Sequence, residues 1–252
     1  MELLTTRDVG IAFGGLQAVG HFDISLQENE LVGLIGPNGA GKTTIFNLLT
    51  GVYQPTEGEI YFNGQKTNNK KPADIVALGM ARTFQNIRLF KNLSVIDNIK
   101  IAFQKKLNYS ALAAVLRLPV YWRQEKQIEE EAIKLLALFH MEEDADKLAK
   151  NLPYGKQRKL EICRALATGP KLLLLDEPAA GMNPQETKEL METIRLVREN
   201  FHLTILLIEH DMNLVMGICE RLIVIDYGQI IAKGTPEEIK VNKQVIKAYL
   251  GS

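Results

Sequence analysis

A glycine-rich segment from Gly36 to Thr44 constrains the fold of this 252-residue chain more than any other part of the sequence. The segment fits the spacing GxxxxGK[ST] with Gly36, Pro37, Asn38, Gly39, Ala40, Gly41, Lys42 and Thr43, followed by Thr44. The apolar run Leu31 to Ile35 before it predicts a buried strand, and Thr43 to Thr50 after it predicts a short helix. A loop of this composition between a strand and a helix is typical of phosphate binding.

The residue types in this loop have a physical cause. Glycines let consecutive backbone N–H groups turn toward a phosphate chain, and the positive end of the helix dipole points to the same place. Lys42 is expected to reach the β- and γ-phosphates, and the Thr43 hydroxyl is expected to ligate Mg²⁺. The loop therefore predicts ATP with Mg²⁺ as the ligand.

Two carboxylates end a second apolar run, Leu172 to Leu175, which continues into Asp176 and Glu177. A buried strand would carry both acids to the sheet edge where ligands bind in open α/β folds. Asp176 is expected to bind Mg²⁺, and Glu177 to orient or deprotonate the attacking water. Taken without the glycine-rich loop, such acids are at least as often helix caps. His210 ends another apolar run and is predicted at the same edge, where an isolated histidine fits a structural role equally well.

The rest of the chain predicts a mixed α/β architecture. Short alternating runs from Leu4 to Leu26 and from Gly58 to Phe62 indicate an antiparallel sheet near the N-terminus. Beyond residue 170, apolar runs alternate with helical patterns, which favours a parallel sheet. The elements predicted there are strand Lys171 to Leu175, helix Pro184 to Asn200, strands Leu203 to Ile208 and Leu222 to Ile225, and a last helix capped by Thr235.

The middle of the chain, residues 86–152, has a helical pattern. Its clearest part is an apolar stripe at helix spacing formed by Ile128, Ala132, Leu135, Leu136 and Phe139. We interpret this region as an inserted helical subdomain whose stripe packs internally, with a partner surface as the alternative. A helix from Lys156 to Thr168 is predicted to follow it.

Composition excludes several classes of function. Thirty Lys+Arg against thirty Asp+Glu leave a formal net charge of zero, so no overall basic field attracts nucleic acid. The apolar runs fall far short of the roughly 20 residues of a membrane-spanning helix. Arg7 and Asp8 argue against a secretory signal. The two cysteines, Cys163 and Cys219, are expected to be buried thiols.

The order of these motifs resembles a known family. The glycine-rich loop, Gln85 within Ala81 to Gln85, the segment Leu152 to Gln157, the run ending in Glu177, and His210 are together similar to the ATP-binding subunits of ABC transporters. The resemblance covers essentially the whole chain. It implies an α/β fold with a P-loop NTPase (RecA-like) core, an N-terminal antiparallel β subdomain and an inserted helical subdomain. Residues 1–252 would form a single ABC ATP-binding domain, and residues 86–152 the insertion.

The resemblance also implies roles for individual residues. Gln85 would touch Mg²⁺ and the water and sense the membrane partner, and His210 would be the switch histidine. Phe13 is similar to the aromatic residue that stacks on adenine, although packing within the N-terminal sheet is an alternative for it. The implied catalytic residues are Glu177, His210 and Gln85, and the implied metal ligands are Thr43, Gln85 and Asp176.

The segment Leu152 to Gln157 resembles the family's Leu-Ser-Gly-Gly-Gln signature, which opens a helix toward the γ-phosphate held by the opposite subunit. The signature contacts would come from Tyr154, Gly155, Lys156 and Gln157. Pro153 stands where the serine would be and Tyr154 replaces the first glycine, so we expect a weaker half-site in trans and unequal sites in the pair. Asn183 likewise replaces the usual aspartate of a later loop and removes a charge.

These departures, the long insertion and the run Asp176 to Gly181 are most similar to the LivG-type subunit of branched-chain amino acid importers. That similarity implies ATP hydrolysis that powers amino-acid uptake. It also implies a position at the cytoplasmic face of the cell membrane and no nucleic-acid partner. The implied partners are a second ATP-binding subunit, identical or different, transmembrane permease subunits and a solute-binding protein.

Alternative functions stay open at this point. Related branches power urea or amide uptake or lipopolysaccharide export with much of the same core, and such a subunit does not touch the cargo. ABC ATPases that move no solute act in translation or DNA repair, but the sequence shows neither a second cassette nor a long coiled-coil insertion. A regulatory module with negligible turnover is a further alternative, against which Glu177 and His210 argue.

Overall fold

The computed structural model describes residues 2–103 and 110–250. These residues divide into two compact units. The core unit comprises the chain up to Gln85 and from Pro170 onward, and the helical unit runs from Asn86 to Gly169.

The first part of the core unit holds an antiparallel sheet around strand β1. In chain order its elements are β1 (Glu2–Phe13), β2 (Leu16–Phe22), β3 (Ser25–Gln27), β4 (Leu31–Ile35), α1 (Lys42–Leu49), β5 (Glu57–Phe62), β6 (Gln65–Lys66), α2 (Pro72–Leu78) and β7 (Met80–Arg82). Strand β1 pairs with β2, β3 and β5 in the order β2-β1-β5-β6, with β3 off that path. The antiparallel sheet predicted near the N-terminus is confirmed.

Within residues 86–103 and 110–169, the helical unit contains four helices. They are α3 (Val95–Ala102), α4 (Ala111–Val115), α5 (Pro119–Leu138) and α6 (Tyr154–Ala167), with 3₁₀ turns at Glu142–Asp144 and Ala149–Asn151. The predicted apolar stripe is buried, whereas Glu129 and Glu130 are exposed. Internal packing of the stripe is therefore confirmed for Ile128, Ala132, Leu135, Leu136 and Phe139.

The start of helix α6 and the end of the helical unit both differ from the prediction. It begins at Tyr154 rather than Lys156, because Pro153 is fixed at φ −54° and serves as its N-cap. The helical unit ends at Gly169 rather than at Leu152, because α6 packs against α3 and α5 within that unit.

The second part of the core unit completes a six-stranded sheet. Its elements are β8 (Leu172–Asp176), α7 (Pro184–Phe201), β9 (Thr204–Ile208), α8 (Met212–Ile218), β10 (Arg221–Asp226), β11 (Gln229–Gly234), α9 (Pro236–Lys240) and α10 (Lys243–Leu250). The strand order is β11-β10-β4-β9-β8-β7, and all pairs from β10 to β7 are parallel. The predicted parallel sheet is confirmed for β10, β4, β9, β8 and β7, whereas the edge strand β11 pairs antiparallel with β10. Strands β4, β8 and β9 are buried along their whole length.

One hydrophobic core joins the two sheets of the core unit and the helix after the glycine-rich loop. It includes Leu4 and Phe62 from the antiparallel sheet, Leu34 and Leu174 from the parallel one, and Phe46 of α1. Burial of apolar surface of this kind is the main favourable term in folding. The core therefore fixes α1 against both sheets.

Both cysteines lie in buried positions, as predicted. Burial raises the pKa of the Cys163 thiol well above its ordinary value and that of Cys219 to about 12. Across the residues that the structure describes, no helix is both long enough and apolar enough to span a bilayer.

Candidate functional site

Four neighbouring parallel strands end at the sheet edge where the sequence predicts the site. Strand β4 leads into Gly36, β9 into Glu209 and His210, β8 ends at Asp176, and β7 ends at Arg82. In the sheet order β4-β9-β8-β7 these four ends are adjacent, and parallel strands present their carboxyl ends on the same side. The topology thus gathers residues that are far apart in the sequence.

The glycine-rich loop follows a path that side chains at its two ends would obstruct. A Cβ atom at Gly36 would lie 2.1 Å from the carbonyl oxygen of Ile225. Gly41 is the N-cap of α1 and has φ 101°, a left-handed conformation that favours glycine. Between them, Ala40 is buried, whereas Asn38 and Gly39 are exposed. The glycines therefore let the chain turn tightly from β4 into α1.

Lys42, the first residue of α1, is held at the centre of this loop. Its ammonium donates hydrogen bonds to the carbonyl oxygens of Gly36 at 2.6 Å and Pro37 at 2.8 Å. Burial lowers the pKa of Lys42, and the charges of Glu177 and Asp176 act in the opposite direction. The loop and the strand ends thus surround a buried cation suited to an anionic ligand.

The first turn of α1 adds further positive character. It carries no acidic side chain, so nothing there offsets the positive end of the helix dipole. Thr43 is exposed and Thr44 is half-buried. The turn therefore offers backbone N–H groups and two hydroxyls to an anion.

Asp176 is a buried carboxylate at the end of β8. Its Oδ2 accepts a hydrogen bond from Arg82 Nη2 at 2.6 Å, and the two side chains are 4% and 6% exposed. The backbone N–H of Asp176 donates to the Thr83 hydroxyl at 3.3 Å. Asp176 is thus held in place by the end of the neighbouring strand β7.

Glu177 lies where the other two predicted catalytic residues converge. Its Oε2 accepts a hydrogen bond from Gln85 Nε2 at 2.8 Å and lies 3.8 Å from His210 Nδ1. Its backbone has φ 46°, and its N–H donates to the carbonyl of Ile208 at 2.9 Å. This bend turns the chain away from β8 and leaves the carboxylate partly exposed.

Glu209 is a buried carboxylate that holds the segments next to Glu177 and His210 in place. Its side chain is 1% exposed and accepts hydrogen bonds from the backbone N–H groups of Ala179 at 2.7 Å and His210 at 3.1 Å. Burial raises the pKa of Glu209, and these N–H groups act against that shift. Glu209 therefore ties the turn after Glu177 to the end of β9.

Phe13 is placed at the surface end of β1. It is 46% exposed and packs edge-to-face on Tyr53, with ring centroids 5.3 Å apart. The alternative that Phe13 is an ordinary core aromatic is therefore wrong. An exposed ring pair of this kind presents an apolar face to which a planar group can stack.

The signature segment opens α6 in the helical unit. Tyr154 is 44% exposed, and its hydroxyl accepts a hydrogen bond from Arg158 Nη2 at 3.0 Å. Gln157 Nε2 donates to the carbonyl of Leu152 at 2.8 Å, which steadies the turn around Pro153. Gly155 is half-buried. The tyrosine that replaces glycine is thus anchored on its own helix.

Lys156 forms an ion pair with a buried acid in the same unit. It pairs with Asp144, whose side chain is 4% exposed and which also pairs with Lys147 at 2.6 Å. Lys147 and Lys156 together hold the pKa of Asp144 below its ordinary value. The pair fixes the start of α6 to the preceding turn.

Asn183 has a local structural role. As the N-cap of α7, its side chain accepts a hydrogen bond from the Glu186 N–H at 3.0 Å. In return, the Glu186 side chain accepts a hydrogen bond from the Asn183 N–H at 2.9 Å. An amide performs this capping as well as a carboxylate does. The cap is therefore preserved without the charge.

Sequence reasoning missed several residues that shape the site. Arg82 and Glu209 each stand beside a predicted residue, and a charged side chain at the end of a buried strand was a usable signal for both. Tyr53 gave no such signal, because its contact with Phe13 depends on tertiary structure. The glycine-rich loop also borders a cavity of about 710 Å³ that the C-terminal helix α10 lines with Lys247, which no motif indicated.

The chain matches the family described as ABC transporter over residues 19–180. It also matches the family described as branched-chain amino acid ATP-binding cassette transporter over residues 229–252, which include all of β11 and both C-terminal helices.

Curated relatives resemble the chain over nearly its full length. It is 47% identical over 249 residues to the high-affinity branched-chain amino acid transport ATP-binding protein LivG of Salmonella typhimurium, covering 99% of this chain and 98% of the relative. It is 45% identical over 249 residues to BraF of Pseudomonas aeruginosa, which bears the same description, with the same coverage.

Solved structures give the same picture. The ADP conformation of an ATP-binding cassette of an ABC transporter superposes with a TM-score of 0.86 at 31% identity, covering 100% of both chains. A nucleotide-free ATP-binding cassette from an ABC transporter superposes with a TM-score of 0.85 at 32% identity, again over 100% of both chains.

Proposed function

Because the chain belongs to the ABC transporter family, we propose that it is the ATP-binding and ATP-hydrolysing subunit of a transporter that takes up branched-chain amino acids. The descriptions of its relatives support the cargo. The observation that carries the enzymatic part is the convergence of the Lys42 loop, Asp176 and Glu177 at one sheet edge.

ATP binding is assigned to the glycine-rich loop. Its backbone N–H groups and the N-terminus of α1 face the phosphates, and Lys42 neutralises their charge. The exposed ring of Phe13 stacks on the adenine, with Tyr53 supporting it from the edge. The buried position of Lys42 strengthens its electrostatic contribution, since charges are screened less away from water.

The donor set at the strand ends fits Mg²⁺. Thr43, Asp176 and Gln85 offer a hydroxyl, a carboxylate and an amide oxygen, which are the hard oxygen ligands that this ion prefers. When bound, Mg²⁺ neutralises charge on the phosphates and orients them. Gln85 donates its Nε2 to Glu177, which places its amide group beside the carboxylate of the catalytic cluster.

Hydrolysis is assigned to the cluster around Glu177. Its carboxylate orients the attacking water and accepts its proton. Gln85 fixes the carboxylate through a 2.8 Å hydrogen bond, and His210 faces the same oxygen. The N–H groups of the loop stabilise the charge that develops on the transferred phosphoryl group.

A second ATP-binding subunit completes the site. The signature residues Tyr154, Gly155, Lys156 and Gln157 of one subunit contact the nucleotide of the other, and the pair closes on ATP and reopens after hydrolysis. Pro153 lacks the serine hydroxyl, so sites formed with this segment are weaker. The movement is passed through the helical unit to permease subunits at the cytoplasmic face of the membrane, which a solute-binding protein supplies with cargo.

The decisive experiment replaces Glu177 by Gln in the complex assembled with its permease subunits. ATP binding is expected to persist, while phosphate release falls by about 10²- to 10⁴-fold because the general base is lost. Glu192→Gln on the exposed face of α7 is the matched control and is expected to leave turnover unchanged. Unchanged turnover in Glu177→Gln would remove the assignment of the base.

Cargo is tested separately. Proteoliposomes that hold the complex with its solute-binding protein are expected to accumulate radiolabelled leucine when ATP is present. Accumulation of a urea or an amide instead, or no uptake together with normal ATP hydrolysis, would contradict the proposed cargo while leaving the ATPase assignment in place. Absence of hydrolysis in the complete complex would favour a regulatory module.

A further inference from the structure

Arg82 lies in one of the elements that form the nucleotide edge and donates hydrogen bonds to two others. It ends β7, its Nη2 donates to Asp176 Oδ2 at 2.6 Å, and its Nη1 donates to Asn47 Oδ1 of α1 at 2.7 Å. The guanidinium therefore links the carboxylate on β8 with the helix that follows the glycine-rich loop.

The surroundings of Arg82 hold the guanidinium in one place. It lies over the rings of Phe46, 5.3 Å from the centroid, and Phe84, 5.1 Å from the centroid. Its side chain is 6% exposed. Among the described residues its buried Nε has no hydrogen-bond partner, so the fork of Nη1 and Nη2 provides its contacts to Asn47 and Asp176. A planar guanidinium that contacts two aromatic rings and donates through a fork is an arrangement that lysine cannot reproduce.

The contact with Arg82 fixes the orientation of the Asp176 carboxylate. Within the described part of the chain, Arg82 is the one side chain that hydrogen-bonds to this carboxylate, and it engages Oδ2. A carboxylate fixed by one oxygen presents the other in a set direction. Oδ1 is thereby left for a cation, and its position relative to α1 is set through Asn47.

We propose that Arg82 is a positioning residue for metal binding: it holds Asp176 so that the free carboxylate oxygen meets a Mg²⁺ ion bound with nucleotide. This inference rests on the proposed function, since it concerns the same site. It adds a residue to which no role has been given, on the strength of its two hydrogen bonds and its burial.

The rival explanation is that Arg82 serves stability alone. In that case Arg82→Met would lower the melting temperature and leave metal affinity in the folded protein unchanged. The positioning role instead predicts weaker metal binding at a temperature where the variant is folded, with nucleotide binding in EDTA unchanged.

The test titrates Mn²⁺ into the full chain loaded with a non-hydrolysable ATP analogue and follows bound metal by electron paramagnetic resonance. Arg82→Met is expected to weaken metal affinity by about 10- to 100-fold, the range typical for residues that orient a metal ligand. Arg82→Lys retains the charge but not the fork, so it is expected to weaken affinity less. Asn47→Ala is expected to give a smaller loss in the same direction.

Arg7→Met is the matched control, because Arg7 is an exposed arginine on β1 of the antiparallel sheet, where it lies over the ring of Tyr61. Wild-type metal affinity in Arg82→Met would overturn the inference. If that variant does not fold, unchanged affinity in both Arg82→Lys and Asn47→Ala would overturn it. Failure of the wild-type complex to hydrolyse ATP would instead count against the proposed function, so the two failures are distinguishable.

Discussion

Each unit of the molecule contains a buried arginine–carboxylate pair, and the two pairs differ in what they hold. In the core unit, Arg82 and Asp176 are 94 residues apart and join two strands. In the helical unit, Arg158 and Glu161 lie three residues apart on α6, at 3.2 Å. All four side chains are at most 6% exposed, and both arginines lie over an aromatic ring.

The two pairs differ in the structural elements that their partners belong to. Arg158 donates to the hydroxyl of Tyr154 one turn earlier, and Glu161 accepts a hydrogen bond from the Arg88 N–H at 3.2 Å. This pair therefore holds the start of α6 and a neighbouring segment of the helical unit. Arg82 uses its second donor on another element, α1, so its pair organises a site made from several strands. A buried pair by itself is weak support for stability. Its partners decide its role.

The difference between the two pairs can be tested by removing each arginine singly and then replacing each pair by apolar residues. Arg82→Met and Arg158→Met each leave a buried carboxylate and are expected to destabilise by about 3–5 kcal/mol. For a chain of this size that lowers the melting temperature by roughly 6–20 °C, measured by differential scanning calorimetry.

The double variants then separate the two pairs. Arg158→Met/Glu161→Leu and Arg82→Met/Asp176→Leu are both expected to regain most of the lost melting temperature, since apolar replacement of a buried pair is often neutral. Turnover of the assembled complex is expected to persist in the first and to be lost in the second. Equal turnover in the two double variants would erase the distinction drawn between the pairs.

Glu209 is a third buried carboxylate, and it accepts hydrogen bonds from backbone N–H groups instead of pairing with an arginine. Its folded-state pKa is raised, so it contributes stability below its ordinary pKa near 4.5, and that contribution is lost as pH rises through the folded value. Melting temperatures from pH 4.5 to 7 are expected to fall less steeply for Glu209→Gln than for wild type. Parallel curves would show that Glu209 does not titrate in this window.

The smallest change in melting temperature is expected for a substitution at Pro153, which precedes the first turn of α6. Pro153 caps this helix without a side-chain hydrogen bond, so Pro153→Ser supplies an acceptor for the Lys156 N–H. We expect a gain of about 1 kcal/mol, or roughly 2–4 °C in melting temperature. Phosphate release by the assembled complex is also expected to change, and Pro153→Ala controls for loss of the ring. A rate and melting temperature equal to those of Pro153→Ala would make the missing hydroxyl irrelevant.

The sequence predicted those features whose pattern is local. The strand, loop and helix around Lys42, the apolar run before Asp176 and the stripe that includes Leu135 each follow from spacing within a few turns or strands. The antiparallel sense of the N-terminal sheet and the parallel sense of β4, β8, β9 and β10 follow from such patterns, whereas the antiparallel pairing of the edge strand β11 does not. The start of α6 lies two residues before the predicted Lys156, because Pro153 has its φ fixed at −54° and begins the helix at the residue that follows it.

The chemical groups of the site can be read from the amino-acid sequence: a phosphate-binding loop, two strand-end acids and a histidine, each specified by its immediate neighbours. The contacts among these groups can be read only from the folded chain. The pairing of Arg82 with Asp176, the support of Glu177 by Gln85 and the contact of Phe13 with Tyr53 join distant segments. Such contacts depend on strand order and packing, which emerge from the whole chain and not from any one segment of it.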